Sequence, residues 1–217
     1  MTLIEIMVVV AIIAVLATLT TMKMSDWFMN QQVKAAARAA GDAFQLARSE
    51  AIRTGSNHMV FFGSPGDTDP AGTPLAGPGG WVPILILNDG PAATANCQID
   101  PGEPVRGIPP IDNVSWGVSN ANAKVPDDSG KAPFSPPQAG GGTFADPANN
   151  VVNWVLFRSD GVPVSIAFTA GTCGQVGGTG SGGGALYVTN GKRDYAAVLS
   201  PLGGVRVHLW NDGGWSN

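Results

Sequence analysis

The first 24 residues of the chain are mostly apolar and show no polar face at helical spacing. Every residue between Ile6 and Met22 is apolar or threonine, and Glu5 is the only carboxylate within residues 1–24. A helix from Met1 to Met22 is about 33 Å long at 1.5 Å per residue, which matches a bilayer core of about 30 Å. Because other conformations leave backbone groups unpaired in lipid, residues 1–24 are predicted to form a hydrophobic transmembrane helix.

The pattern becomes that of an amphipathic helix after Met24. Between Ser25 and Thr54, apolar side chains recur at spacings of three and four residues, whereas charged side chains fall mainly on other faces. The apolar positions are Val33, Ala36 or Ala37, Ala40, Phe44, Ala47 and Ala51. Gly55 follows as a natural C-cap, and Gly41 is the only breaker before it. The pattern therefore predicts one continuous helix whose second half, residues 25–55, packs on a globular head.

Residues 56–217 alternate between short apolar runs and long stretches rich in glycine and proline. Asp160-Gly161 separates two of the apolar runs and predicts a β-hairpin. The predicted strands are His58–Phe62, Trp81–Asn88, Val114–Val118, Val151–Phe157, Val162–Phe168, Gly184–Thr189, Ala196–Ser200 and Val205–Trp210. Three long loops, Gly63–Gly80, Asp89–Asn113 and Ser119–Asn150, are predicted to decorate the sheet rather than build it. The fold class is therefore α+β, with a long N-terminal helix packed on a C-terminal antiparallel sheet.

Composition supports this organisation and limits the partners. The chain has 30 glycines and 17 prolines among 217 residues, which fits a β-rich domain with irregular loops better than a helical bundle. Charged residues make up only 13% of the chain and its formal net charge is −4. This balance implies no long-range attraction to nucleic acid or to anionic lipid.

The N-terminal segment carries a family resemblance. The run TLIEIMVVVAIIAVLA, with Thr2, Leu3 and Glu5, resembles the N-terminus of type IV pilins and of type II secretion pseudopilins. In that family a prepilin peptidase removes a short leader, the new first residue is N-methylated, and the glutamate neutralises the N-terminal amine of a neighbouring subunit. The resemblance implies processing and methylation at Met1 and an assembly carboxylate at Glu5. Met22 stands where many members have proline, so the helix is expected to run straight there.

A second resemblance narrows the family. LARSEAIRTG, FRSDGVP, ALYVTN and SPLGGVRVHLW are similar to the helix end and the closing strands of GspH/FimT-type minor pilins and pseudopilins. The resemblance implies a type IV pilin fold and a structural minor pilin that primes pilus assembly or forms a tip complex. It also implies contacts with other minor pilins and the major pilin through the N-terminal helix, and with a tip adhesin. The alternatives are a secretion pseudopilin and a DNA-binding pilin for DNA uptake.

The same resemblance implies a location and a redox state. The chain is expected to lie in the inner membrane with its head in the periplasm, and later in the pilus at the cell surface. Cys97 and Cys173 are the only cysteines. An even count in an exported protein favours one disulfide, whereas two free buried thiols are the alternative in a reducing compartment.

Motifs for catalysis or cofactor binding are weak. Gly178, Gly180 and Gly183 satisfy G-x-G-x-x-G, but a predicted strand follows them instead of the helix that holds a phosphate. His58 and His208 cannot supply a three-histidine metal site. The pairs Asp67/Asp69 and Asp127/Asp128 lack the glutamate that completes a calcium loop. We therefore expect neither enzymatic activity nor a cofactor.

Nucleic-acid binding is a separate question, because a basic C-terminal region would support it. The available cations are Lys192, Arg193, Arg206 and His208, and Trp210 and Trp215 are the aromatic residues that could stack on bases. A DNA-binding tail would present several more cations, since each phosphate contact adds to affinity. DNA is therefore not expected as a partner.

Overall fold

A computed structural model describes residues 2–77, 80–90, 95–132, 134, 141–169, 172–211 and 213–216. For residues 19–23 it describes the backbone alone. Helix α1 runs without interruption from Leu3 to Thr54. The prediction of one continuous helix through Met22 is confirmed. Gly55 ends the helix in the left-handed conformation, with φ of +66°, which a residue without Cβ adopts at little cost.

The second half of α1 is buried along one face, as its periodicity predicts. Val33, Ala37, Ala40, Ala47 and Ala51 have no exposed surface. The small side chains allow the strands to come close to the helix axis. At Gly41 a Cβ atom would lie only 3.0 Å from a methyl group of Val205, so glycine permits the contact between α1 and the last long strand.

The head contains two five-stranded antiparallel sheets instead of the single predicted sheet. The first sheet has the order β5-β4-β1-β7-β8 and the second has the order β14-β13-β12-β11-β6. The first comprises β1 (His58–Phe62), β4 (Ile84–Asn88), β5 (Val105–Ile108), β7 (Trp154–Phe157) and β8 (Pro163–Val164). The second comprises β6 (Ser115–Trp116), β11 (Gly184–Thr189), β12 (Asp194–Leu199), β13 (Val205–Asn211) and β14 (Gly214–Ser216). Both sheets contact α1.

Two short hairpins account for the remaining strands of the described residues. They pair β2 (Ala76–Gly77) with β3 (Gly80–Trp81), and β9 (Ile166–Thr169) with β10 (Thr172–Val176). The main core joins the helix to both sheets, since Phe44 of α1, Phe62 of β1 and Leu186 of β11 belong to one buried cluster. The α+β class with a long N-terminal helix and antiparallel sheets is thus confirmed.

Several predicted strands have different bounds. The run 81–88 is broken before Ile84, because Pro83 has no amide hydrogen to donate to a ladder. The predicted strand Val114–Val118 is reduced to Ser115–Trp116, and Val151–Phe157 to Trp154–Phe157. The run 162–168 is divided between β8 and β9, which lie in different sheets. The hairpin at Asp160-Gly161 is confirmed, with Leu156 opposite Val164.

The prediction that the three long loops only decorate the sheet is wrong. The loop 63–80 contributes β2, and the loop 89–113 contributes β5, which pairs with β4 along its whole length. The loop 119–150 adds buried side chains, among them Val125 and Phe144. These segments are irregular in backbone but carry part of the core.

Candidate functional site

The first half of α1 presents an apolar surface that the head does not cover. Between Leu3 and Leu16 the large apolar side chains are 49–78% exposed, whereas burial on the head begins only at Val33. Water contact with so many adjacent apolar groups is unfavourable, so such a surface is typical of an interaction site. Over the residues that the structure describes, no helix is both long and apolar enough to cross a bilayer.

Glu5 closes the start of this surface in a capping box. The amide of Thr2 donates to Glu5 Oε2 at 2.6 Å, and the Glu5 amide lies 3.4 Å from Thr2 Oγ1. A carboxylate in the first turn also interacts favourably with the helix dipole. This local role was missed at the sequence level, although the spacing Thr2-x-x-Glu5 signals it. Met1, the predicted methylation site, lies outside the described residues.

A hydrogen bond and an ion pair join the head to α1 close to the residues where the exposed half of the helix begins. In the turn between β11 and β12, the Asn190 side-chain amide donates to the carbonyl of Met29 at 2.9 Å. Lys192 Nζ lies 2.6 Å from a carboxylate oxygen of Asp26. The ion pair is exposed and contributes little by itself. Together with the buried face that starts at Val33, however, these contacts fix the direction in which the exposed half leaves the head.

The carboxylates considered as calcium ligands serve the loops instead. Asp67 accepts a hydrogen bond from the Ser64 amide at 2.7 Å. Asp69 is buried and accepts from the amides of Ala71, Thr73 and Ile99 at 2.7–2.9 Å. Each carboxylate therefore stabilises irregular backbone that no ladder serves.

Asp128 is the centre of a buried network. It accepts hydrogen bonds from the Gly130 amide, the Thr143 hydroxyl and the Tyr187 hydroxyl, all at 2.7–3.0 Å. Burial, with the Asp128 carboxylate as a second cause, raises the pKa of Tyr187 far above its ordinary value, so the phenol stays protonated and donates. The network joins the loop 119–150 to β11.

Asp194 plays the same part at the start of that loop. Its fully buried carboxylate accepts hydrogen bonds from the amides of Ser119, Asn120 and Ala121 at 2.6–3.0 Å. Nothing in the local sequence signals this role, because the amides lie more than 70 residues away. Asp128 and Asp194 therefore anchor the loop 119–150 to the second sheet.

Most of the residues considered for DNA capture or catalysis form ion pairs within the chain or are buried. Arg206 pairs with Asp127 at 2.8 Å, in addition to the pair that Lys192 forms with Asp26, while Arg193 is exposed. His208 is 5% exposed, and its Nε2 atom lies 3.6 Å from a carboxylate oxygen of Asp127 in the loop 119–150. Burial lowers the pKa of His208, against the raising effect of Asp127. Trp210 and Trp215 stack edge to face, with ring centroids 5.3 Å apart.

The other histidine and the glycine motif also have structural explanations. His58 lies buried in β1, and burial lowers its pKa below the ordinary value. The stretch that contains Gly178, Gly180 and Gly183 forms turns and leads directly into β11. It provides no helix N-terminus for a phosphate.

A groove of about 390 Å³ lies between α1 and the segments around residues 64–65, 81–84 and 108–116. Trp116 Nε1 donates to the carbonyl of Gly63 at 2.8 Å, whereas Trp81 Nε1 is buried without a hydrogen-bond partner among the described residues. No described residue that lines the groove is charged. The groove offers apolar contact area and no acid–base group.

Cys97 and Cys173 form the predicted disulfide. It ties the segment after β4 to the β9–β10 hairpin, which belongs to neither large sheet. The carboxylate of Asp89 lies against it, and the two sulfurs and a carboxylate oxygen are mutually within 4.8 Å. Because the sulfurs share a covalent bond, they cannot act as thiolate ligands to a metal in this state.

Burial raises the pKa of Asp89 to about 6, against the lowering effect of the amides of Asn96 and Cys97. Between about pH 4 and pH 6 Asp89 therefore binds more protons in the folded chain than in the unfolded chain. The stability that this proton uptake contributes is present below pH 4 and is lost as the pH rises through 6. A pKa shift of about two units corresponds to at most about 3 kcal/mol.

Asp89→Asn should isolate this effect, because asparagine does not titrate. We expect the unfolding free energy of the wild type, relative to that of the variant, to fall by up to about 3 kcal/mol between pH 4 and pH 7. Urea unfolding of the full chain at several pH values, with the disulfide intact, measures the difference. Asp112→Asn, at an exposed site, serves as the control. A difference between wild type and Asp89→Asn that is constant with pH would contradict the prediction.

Comparison with known proteins adds no identity: no protein-family model, no curated protein and no solved structure matches the chain.

Proposed function

We propose that the chain is a minor pilin, a structural subunit of a type IV pilus with a pilin fold. The observation that supports this most strongly is the division of α1. One unbroken helix docks its second half on a β-rich head and presents its first half as an exposed apolar surface. A helix of this kind can act as a shared spine, because several copies bury their apolar halves against one another while the heads remain outside.

Before assembly the segment 1–24 lies in the inner membrane, with the head in the periplasm. The large apolar side chains between Leu3 and Leu16 are as apolar as lipid tails, so lipid can cover them. On assembly, contacts with the helices of other minor pilins and the major pilin replace the lipid contacts. The subunit then helps to prime the pilus or joins a tip complex with an adhesin. The role is structural rather than enzymatic.

Glu5 fixes the axial position of each subunit relative to its neighbours in the assembly. Its carboxylate is exposed at the start of α1, and an unpaired carboxylate in an apolar bundle is costly. The methylated amine of a neighbouring subunit, which prepilin peptidase generates at Met1, would neutralise it. The capping contact with Thr2 holds the carboxylate at the helix start, where such an amine can reach it.

Substitution of Glu5 tests the proposal. We expect Glu5→Ala and Glu5→Gln to remain in the membrane fraction but to fall at least about tenfold in sheared filaments, because an unpaired buried ammonium costs several kcal/mol. Immunoblots of an epitope-tagged full chain in both fractions measure the ratio. Glutamine keeps the capping box but removes the charge. Normal incorporation of Glu5→Gln would show that capping alone matters and would sink the assembly role.

Glu50→Gln is the matched control, since it removes a carboxylate from the other end of the same helix. Glu50 pairs with Arg53 within one turn, and we expect its loss to leave incorporation unchanged. Immunogold labelling of whole cells then separates the related alternatives. Label on surface pili supports a minor pilin, whereas label confined to the envelope would favour a secretion pseudopilin or a DNA-uptake filament.

A further inference from the structure

A buried carboxylate lies in direct contact with the disulfide. Asp89 follows β4, is 2% exposed, and accepts hydrogen bonds from the amides of Asn96 and Cys97 at 3.0–3.1 Å. Its Oδ2 atom also lies 3.5 Å from Cys173 Sγ. These two backbone amides hold the carboxylate in place.

In the disulfide this approach is a contact and not a hydrogen bond, because neither sulfur carries a hydrogen. In the dithiol the same position would place the Cys173 S–H against a carboxylate oxygen. The nucleophile in thiol–disulfide exchange is the thiolate, so removal of that proton controls the rate. Asp89 is thus placed at the atom whose proton must leave.

We infer that Asp89 is the proton acceptor when the Cys97–Cys173 disulfide forms by exchange with a small external disulfide. Cys173 is half-buried whereas Cys97 is 1% exposed, so Cys173 meets the reagent first. Asp89 takes the Cys173 proton, and the thiolate attacks one sulfur of the reagent. The reagent S–S bond breaks, and the first thiol leaves after protonation.

The second step forms the disulfide between Cys97 and Cys173. Asp89 releases its proton to solvent and accepts the proton of Cys97, whose sulfur is within 4.8 Å of the carboxylate. The Cys97 thiolate attacks Cys173 Sγ in the mixed disulfide, and the second reagent thiol departs. The protein dithiol loses two electrons and two protons, and the external disulfide is reduced to two thiols.

A purely electrostatic influence of Asp89 would act in the opposite direction. A fixed negative charge beside a thiol disfavours the thiolate, and Asp100 and Glu103 add negative charge nearby. Removal of the carboxylate would then accelerate exchange, whereas removal of a proton acceptor slows it. The sign of the effect therefore distinguishes the two roles.

The test is the oxidation of the fully reduced full-length chain in detergent micelles by glutathione disulfide. At pH 7 we expect Asp89→Asn to react at least about tenfold more slowly than wild type. The effect of a positioned general base in an enzyme is typically larger, about a hundredfold or more. We also expect the wild-type rate to fall below about pH 6, as Asp89 becomes protonated, and this step to vanish in the variant. An equal or faster rate, or an unchanged pH profile, would overturn the inference.

Asp69→Asn is the matched control. Asp69 is a buried carboxylate that holds the same segment through the Ile99 amide, and among the described residues it forms no hydrogen bond with a sulfur atom. Its rate should stay within about twofold of wild type, and an equal slowing in both variants would mean that loop order alone matters.

If the reduced variant does not fold, reduction of the native disulfide by dithiothreitol gives the same test from the folded state. Protonated Asp89 then donates to the departing sulfur, so Asp89→Asn should be reduced more slowly below pH 6. An unchanged rate would overturn the inference.

Discussion

Replacement of Asp194 by alanine is expected to lower the unfolding free energy of the head by about 4 kcal/mol. The carboxylate has no exposed surface and accepts hydrogen bonds from three consecutive amides, those of Ser119, Asn120 and Ala121. Alanine leaves these donors without their acceptor, and each unsatisfied buried amide costs about 1–3 kcal/mol. Water that enters the vacated space recovers part of the loss, which places the total near the lower end of the range of about 3–9 kcal/mol for three amides.

Urea unfolding of the full chain in detergent micelles, followed by tryptophan fluorescence, measures this change. Asp112→Ala provides the control, because Asp112 is exposed and its loss should change stability by less than about 0.5 kcal/mol. A loss below about 1 kcal/mol for Asp194→Ala would show that the three amides find other acceptors and that Asp194 does not anchor the loop 119–150.

Phe144→Ala is expected to destabilise the head by a similar amount, about 4 kcal/mol. Phe144 is 2% exposed, and its ring centroid lies 5.7 Å from that of Phe44 in α1 and 5.0 Å from that of Phe62 in β1. Its ring also fills the space above Gly184, where a Cβ atom would come within 2.8 Å. Truncation opens a cavity where the helix and both sheets meet, and buried Phe→Ala changes typically cost 3–5 kcal/mol.

The same unfolding measurement tests this prediction, with Phe28→Ala as the matched control. Phe28 is 53% exposed on α1, so its loss should leave the stability of the head nearly unchanged. If Phe144→Ala proved as stable as wild type, the loop 119–150 would lie outside the core in solution.

The parts of the fold that were predictable have a clear hydrophobic period. The buried face of α1 follows the spacing of three and four residues from Val33 to Ala51, and Gly55 ends the helix as its position indicates. Strands β11 and β12 are mostly apolar runs and β13 alternates apolar with polar residues, and the predicted and observed bounds of these strands differ by at most two residues. In these segments local pattern and tertiary packing agree.

The rest depended on contacts distant in sequence. Strand β5 contains Arg106 and Gly107 between two apolar residues. Its sequence therefore lacks the alternation of apolar and polar residues that would have predicted its pairing with β4. Strand β10, TCGQV, is polar and is held by the disulfide. Phe144 is one of two aromatic residues in a loop without a hydrophobic period, and Asp89 and Asp194 look like ordinary surface aspartates in the sequence. Only the capping box of Thr2 and Glu5 had a local signal that could have been recognised.

The disulfide also has a consequence for a chain that has been cut. It encloses the loop 119–150, whose last three residues, 148–150, are exposed. Exposed tips of irregular loops are the preferred sites of proteolytic nicking. A nick at these residues leaves both pieces covalently joined through Cys97 and Cys173, with α1 and β1 on one piece and β11 to β14 on the other. The nicked molecule would keep its full mass and separate into two bands only under reducing conditions.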